Sequence, residues 1–139
     1  MIPGIGLYYA LTFILAYLIA SMLKIIFATL KTKKFNLNYG FNNGGMPSMH
    51  TASITSITFA IGIVEGLSAT FFLAVVISVI VMSDAVKVRK SLGEQGEALN
   101  TLLKKDKLKI VYGHTISQVF VGAIIGFLTA ILVRIPFGL

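Results

Sequence analysis

An all-α membrane helix bundle is the fold class this chain predicts, and three observations carry it. Hydrophobic residues make up 56% of the 139 residues against 12% charged. Mean hydropathy is +0.89. Four apolar segments recur, at roughly 5–30, 47–66, 67–88 and 114–135, each near the length that crosses a hydrocarbon core about 30 Å thick at about 1.5 Å per residue. No segment shows the period-two alternation of a transmembrane β-barrel. The length fits one integral membrane domain over 1–139.

The first segment is uncharged from Ile5 to Leu23. No basic residue precedes it and it is too long for a signal peptide, so it reads as a retained helix. Residues 31–46 form a basic, Asn- and Gly-rich connection. The second and third segments are parted only by Glu65-Gly66-Leu67-Ser68, which predicts an antiparallel helical hairpin. Residues 89–113 form a longer loop in which Leu92, Leu99, Leu102 and Leu103 fit one face of an interfacial helix, with Gly93 and Gly96 acting against it. In the last segment His114, Gln118, Gly122 and Gly126 recur every four residues, a stripe whose small members let another helix approach.

Charge sets the expected orientation. Eleven of the twelve Lys and Arg residues (Lys24, Lys31, Lys33, Lys34, Lys87, Arg89, Lys90, Lys104, Lys105, Lys107 and Lys109) fall on one side of a four-helix topology, with only Arg134 on the other. The positive-inside rule places that basic side in the cytoplasm and both termini outside. The net charge of +7 hugs membrane boundaries without a nucleic-acid motif, so anionic lipid headgroups are the expected partners and nucleic acid is not. There is no cysteine, and two histidines with five carboxylates leave little material for a metal cage.

The richest stretch is Gly44-Gly45-Met46-Pro47-Ser48-Met49-His50. Gly44 and Gly45 let the backbone approach a ligand closely. Pro47 suits a first helical turn, and helix-start N–H groups favour an anion. Ser48 adds a hydroxyl and His50 a titratable imidazole. On the four-helix topology His50, Asp84, Arg89 and His114 arrive in one cytoplasmic layer. Asp84 ends an uncharged span, which is costly unless the carboxylate is paired with Lys87 or Arg89 or put to use. Ser53, Thr55, Ser56 and Thr58 read as helix packing.

Gly-Gly-Met-Pro-Ser-Met-His at 44–50, Asp84 through Arg89, Gln95 with Leu99-Asn100, and Gly113-His114-Thr115 together resemble the divergent small membrane branch of the type-2 phosphatidic acid phosphatase and vanadium haloperoxidase superfamily, over about residues 40–126. The resemblance implies Ser48 and Gly45 as phosphate contacts, His50 as general acid and His114 as the nucleophile that forms a phosphohistidine. It makes Arg89 a planar clamp for phosphate oxygens, although here 25 residues separate it from His114. Two departures stand out. The aspartate that orients the nucleophile in that superfamily is Gln118 here, and the upstream lysine and arginine-proline motif is absent, leaving Lys33 or Lys34 as substitutes.

The implied function is hydrolysis of a phosphomonoester or diphosphate on a membrane lipid at the cytoplasmic interface, with no metal or organic cofactor and with vanadate as a phosphate mimic. The alternatives are a non-catalytic protein that binds or moves an anionic lipid, and a structural subunit whose polar layer specifies helix packing. A bundle this small can leave a groove incomplete, which a homodimer would complete.

Overall fold

Residues 4–40, 44–104, 108, 110 and 112–138 are described in this computed structural model, and among them there are helices and turns but no strand. The helices are α1 (Ile5–Thr32), α2 (Met49–Glu65), α3 (Ala69–Ser83), α4 (Arg89–Leu103) and α5 (Ile116–Arg134). A π-helical turn at Asp84–Val88 joins α3 to α4, and short 3₁₀ turns occupy Leu37–Gly40 and Ile135–Phe137.

The central element is α2, which packs against α1, α3 and α5, while α1 also packs on α5. Ser48 N donates to the Gln118 carbonyl at 3.1 Å, and Ala60 and Ala130 share a core cluster with Tyr8, so α2 and α5 run parallel. In α1 the order is reversed: Tyr8 lies beside Ala60 and Ala130, whereas Ala20 lies beside Met49 and Ala52. The expected α2–α3 hairpin is present. Ser68 caps α3 by accepting from Phe71 N at 3.1 Å, and Thr58 and Ser78 share a 2.8 Å hydrogen bond across the pair.

The small-residue stripe makes the α2–α5 contact. A Cβ at Gly122 would stand 2.5 Å from the Ser48 carbonyl oxygen, and one at Gly126 would strike Thr55 Oγ1 and the Ala52 carbonyl. The two backbones meet because these positions carry no side chain. The hydroxyls that this contact buries turn back on their own helix: Thr55 Oγ1 donates to the Thr51 carbonyl at 2.6 Å and Ser56 Oγ to the Ser53 carbonyl at 2.8 Å. Such i−3 and i−4 bonds satisfy a polar side chain inside an apolar bundle.

Three described helices are long and apolar enough to cross a membrane: Ile5–Thr32, Ala69–Leu103 and Ile116–Phe137. Their outward faces carry large apolar side chains such as Phe72, Ile80, Phe120 and Leu132, the surface expected where lipid is the solvent. The protein is therefore an integral membrane protein. The expected second span is shorter than the 47–66 reading. Ser48 is the N-cap and Pro47 lies outside the helix, so α2 holds 17 residues, about 25 Å at 1.5 Å each.

The third segment does not end near residue 88. It continues through the π turn as a 35-residue helix, because Gly93 and Gly96 cost only about 1 kcal/mol each in a helix and its far end is tied down. Asn100 holds residue 108, donating from Nδ2 to the Leu108 carbonyl at 2.9 Å and accepting from Leu108 N at 3.0 Å. Leu92, Leu99, Leu102 and Leu103 are exposed, as the interfacial reading expects. Lys105, Lys107 and Lys109 lie outside the described residues.

Candidate active site

The helix directions bring the second half of α1, the start of α2, the α3–α4 junction and the start of α5 to one end of the bundle. Each contributes a polar side chain. His50 is the second residue of α2, in the turn that Ser48 caps. His114 precedes α5, and its backbone N–H donates to the Ala85 carbonyl at 2.8 Å. Ala85 lies within the π turn, so the local change of helical register, a feature common at functional sites, anchors the loop that carries the histidine.

Gln118 fixes the His114 ring. Its Oε1 accepts from Thr115 N at 3.2 Å and stands 3.0 Å from His114 Nδ1. Because a backbone N–H can only donate, the atom it meets is the carbonyl oxygen of the amide, and His114 Nδ1 is then the donor to that same oxygen. Nδ1 therefore carries a proton in this pair. The same Gln118 closes a capping box with Thr115, so one side chain both starts α5 and sets the imidazole tautomer.

His114 is 6% exposed. Burial holds its pKa below the usual 6.5; the hydrogen bonds to Gln118 and to the Gly45 backbone oppose the fall, and the charges of Lys24 and His50 add to it. The ring is therefore neutral at neutral pH, the form that carries a nucleophilic lone pair.

Arg89 and Asp84 form an ion pair, Nε to Oδ2 at 3.1 Å. The structural expectation for Asp84 is thus met by Arg89, five residues along, across the π turn. The pair engages Nε and leaves the terminal guanidinium nitrogens for an anion. Arg89, Lys24 and Asp84 all act electrostatically on the His50 ring, which puts the positive groups and both histidines in one cluster.

Sequence reasoning missed Lys24 as a member of this cluster by reading it with Lys31, Lys33 and Lys34 as an orientation determinant. It is 4% exposed, eight residues inside the end of α1, and its Cε lies 3.4 Å from where a Cβ on Gly45 would be. Gly45 has φ +79, a conformation that suits glycine, and the absent side chain leaves that space to the lysine. The available signal was a cation inside an apolar helix, which is costly and marks function. Lys33 and Lys34 are exposed beyond this cavity. Lys24, Lys31, Tyr39, Gly44, Gly45 and Gln118 line a cavity of about 360 Å³.

Ser48 sits differently from its expected role. It is fully buried, and its Oγ accepts from Thr51 N at 3.4 Å and from Thr51 Oγ1 at 3.0 Å. Its visible work is to cap α2 and to bind α5 through its backbone. Gly45, His50, Asp84, Arg89, His114 and Gln118 are brought together; the Ser48 hydroxyl is turned into the helix start. Among the described residues no three His, Asp or Glu side chains gather to hold a metal ion.

Comparison with known proteins gives a consistent result. The divergent PAP2 family matches residues 8–129. An uncharacterized membrane protein of Bacillus subtilis (strain 168), YuiD, is 28% identical over 134 residues, covering 81% of this chain and 85% of that protein. No solved structure matches the chain.

Proposed function

The chain belongs to the divergent PAP2 family, and from that premise we propose that it hydrolyses a phosphomonoester or diphosphate carried on a membrane lipid. The observation that carries this reading is the His114–Gln118 pair. A buried, neutral imidazole is held with Nδ1–H toward a carbonyl oxygen at 3.0 Å beside Lys24, His50 and the Asp84–Arg89 ion pair.

Phosphate oxygens meet Lys24, the outer nitrogens of Arg89 and the Gly45 backbone. His114 Nε2 attacks the terminal phosphorus as its P–O bond to the leaving oxygen breaks, that of the lipid alcohol in a monoester or of the lipid monophosphate in a diphosphate, and a proton on His50 passes to that departing oxygen. Water, giving a proton to the now neutral His50, then cleaves the N–P bond, which releases phosphate and restores both histidines. The imidazolium formed on attack leans on Gln118, whose amide orients the ring without the charge of a carboxylate. Vanadate, a phosphate mimic, takes the same place as the phosphate.

In this reading α2 is a fourth crossing, paired with α3 through the Gly66–Ser68 turn, and the basic end faces the cytoplasm. The Lys and Arg distribution supports that orientation. A second reading, binding or transport of an anionic lipid without turnover, is favoured by one observation: the amide of Gln118 stands where a carboxylate would stabilise charge.

Phosphate release by the purified chain from a panel of lipid phosphates and diphosphates tests the proposal. Wild type releases phosphate and His114→Ala loses at least about 10³-fold, the scale on which removal of a nucleophile acts. Saturable lipid-phosphate binding with no release from any member selects the second reading.

A further inference from the structure

A second cavity reaches the site at His50. It holds about 300 Å³ and is lined by Phe13 and Tyr17 of α1, His50, Ser53, Ile54 and Ile57 of α2, and Val81 of α3. Apart from His50 and Ser53 its lining is apolar or aromatic. The basic cavity around Lys24, Lys31 and Gln118 does not include His50. The two cavities differ in charge: the first carries Lys24 and Lys31 among apolar side chains such as Phe27 and Met46 and touches Gln118, the partner of the proposed nucleophile, while the second carries no lysine or arginine and touches the proposed acid.

That arrangement assigns the chambers. In phosphoryl transfer the acid gives its proton to the departing oxygen, so whatever carbon skeleton bears that oxygen has to lie on the acid's side. Here the acid's side is a groove that follows α2 from His50 to Ile57, seven residues or about 10 Å at 1.5 Å per residue. Hydrocarbon fits it, and an ionic or sugar-like leaving group does not.

Ser53 adds a specific feature. It is 6% exposed, and its Oγ has no hydrogen-bond partner among the described residues. Its neighbours behave otherwise: Thr55, Ser56 and Thr58 each donate to a carbonyl three or four residues back. A buried hydroxyl left without a partner is costly, and the cost is relieved when a ligand supplies an acceptor. Ser53 stands one turn from His50, where the first few atoms of a leaving alcohol would pass.

We infer that the α1–α2–α3 groove binds the leaving alcohol of the substrate as a hydrocarbon chain, and that Ser53 donates to an ester or hydroxyl oxygen close to the phosphate. This rests on the phosphatase reading for its assignment of His50. The groove therefore selects a lipid that carries oxygen beside its phosphate over one whose chain is hydrocarbon throughout. The bond broken remains P–O, with the His50 proton going to the alcohol oxygen, so the released lipid alcohol leaves along the groove as phosphate leaves from the basic chamber.

Calorimetric titration of the purified full chain tests the inference through binding, using dioctanoyl phosphatidic acid, geranyl phosphate and vanadate. Ile57→Trp fills the groove and is expected to lower affinity for both lipid phosphates, relative to vanadate, by about tenfold. Ser53→Ala, a conservative change that keeps α2 intact, is expected to lower the preference for dioctanoyl phosphatidic acid over geranyl phosphate by about fivefold. Equal losses for all three ligands in Ile57→Trp, or lipid phosphates that bind no more tightly than vanadate to wild type, overturn the groove assignment. So does conversion of a dimer to a monomer by Ile57→Trp in light scattering, which would make a second copy the occupant. An unchanged preference in Ser53→Ala removes the serine from the site. Lipid phosphates that bind as expected but are never hydrolysed leave the groove standing and defeat the phosphatase reading instead.

Discussion

The two ends of α2 are built by opposite rules. At its C-terminal end Ala60 packs with Ala130 and Tyr8, Tyr8 OH donates to the Ala130 carbonyl at 2.9 Å, and Thr129 Oγ1 donates to the Ile125 carbonyl at 2.7 Å. At its N-terminal end Lys24, His50, His114, Arg89 and Asp84 crowd one layer. Small and aromatic side chains with no buried charge among them make a packing contact. Buried or half-buried cations beside two imidazoles are costly in the same setting, and their presence at only one end separates the element that holds the bundle from the element that acts.

Substitution at the packing end should break the comparison most visibly. Tyr8→Ala removes a fully buried ring and its hydrogen bond, and is expected to cost about 3–5 kcal/mol of stability. Denaturant unfolding in detergent reads that loss, while vanadate affinity of the folded fraction stays at the wild-type value. A Tyr8→Ala chain of unchanged stability that binds vanadate poorly would reverse the assignment of the two ends.

A smaller effect sharpens the chemistry of the site end. The 3.0 Å contact from Gln118 Oε1 to His114 Nδ1 requires the full length of the glutamine, so an aspartate would fall short. Gln118→Glu keeps both the reach and the capping box with Thr115 and adds a charge opposite the imidazolium. Turnover of a lipid phosphate is expected to rise about tenfold, the scale of one charge-assisted hydrogen bond. Steady-state rates for Gln118→Glu beside Gln118→Ala measure it, and equal rates in the two variants would show that the ring needs no partner.

The smallest effect lies in pH. The folded pKa of His114 is below its ordinary 6.5, so the unfolded chain takes up the proton first. The contribution to stability is fully present above about pH 6.5 and is lost as pH falls through the folded pKa. Nucleophilic competence follows the same direction, and the neutral ring persists below pH 6.5. Thermal melting from pH 8 to pH 5 should decline on the acid side in wild type and be flatter in His114→Gln; identical profiles would show that the histidine is not held neutral.

Much of this was legible in the chain. Apolar segment lengths located α1, α3 and α5. The spacing of Gly122 and Gly126 located the face on which α2 rests, and Gly66 with Ser68 located the hairpin turn. The failures have physical causes. Pro47 looks like a first helical residue, but Ser48 is the better cap, and the helix starts after it. Gly93 and Gly96 look like breakers, but a π turn keeps α3 and α4 continuous and Asn100 holds the far end. Lys24 looks like one more boundary cation because Lys31, Lys33 and Lys34 follow it on the same segment; the approach of Gly45 to α1 puts it in the cluster. The Ser48 hydroxyl serves capping, a use that the same motif spells equally well.

Vanadate titration tests the central claim, that one anion site is formed by Lys24 of α1 together with Arg89 and the two histidines. Calorimetry at fixed ionic strength on wild type, Lys24→Met and Arg89→Ala is the measurement. The account expects saturable binding to wild type and a loss of about 1.5–3 kcal/mol in each variant, as for a hydrogen bond to a charged group. Full affinity in a folded Lys24→Met chain, or no saturable binding by wild type, would contradict it.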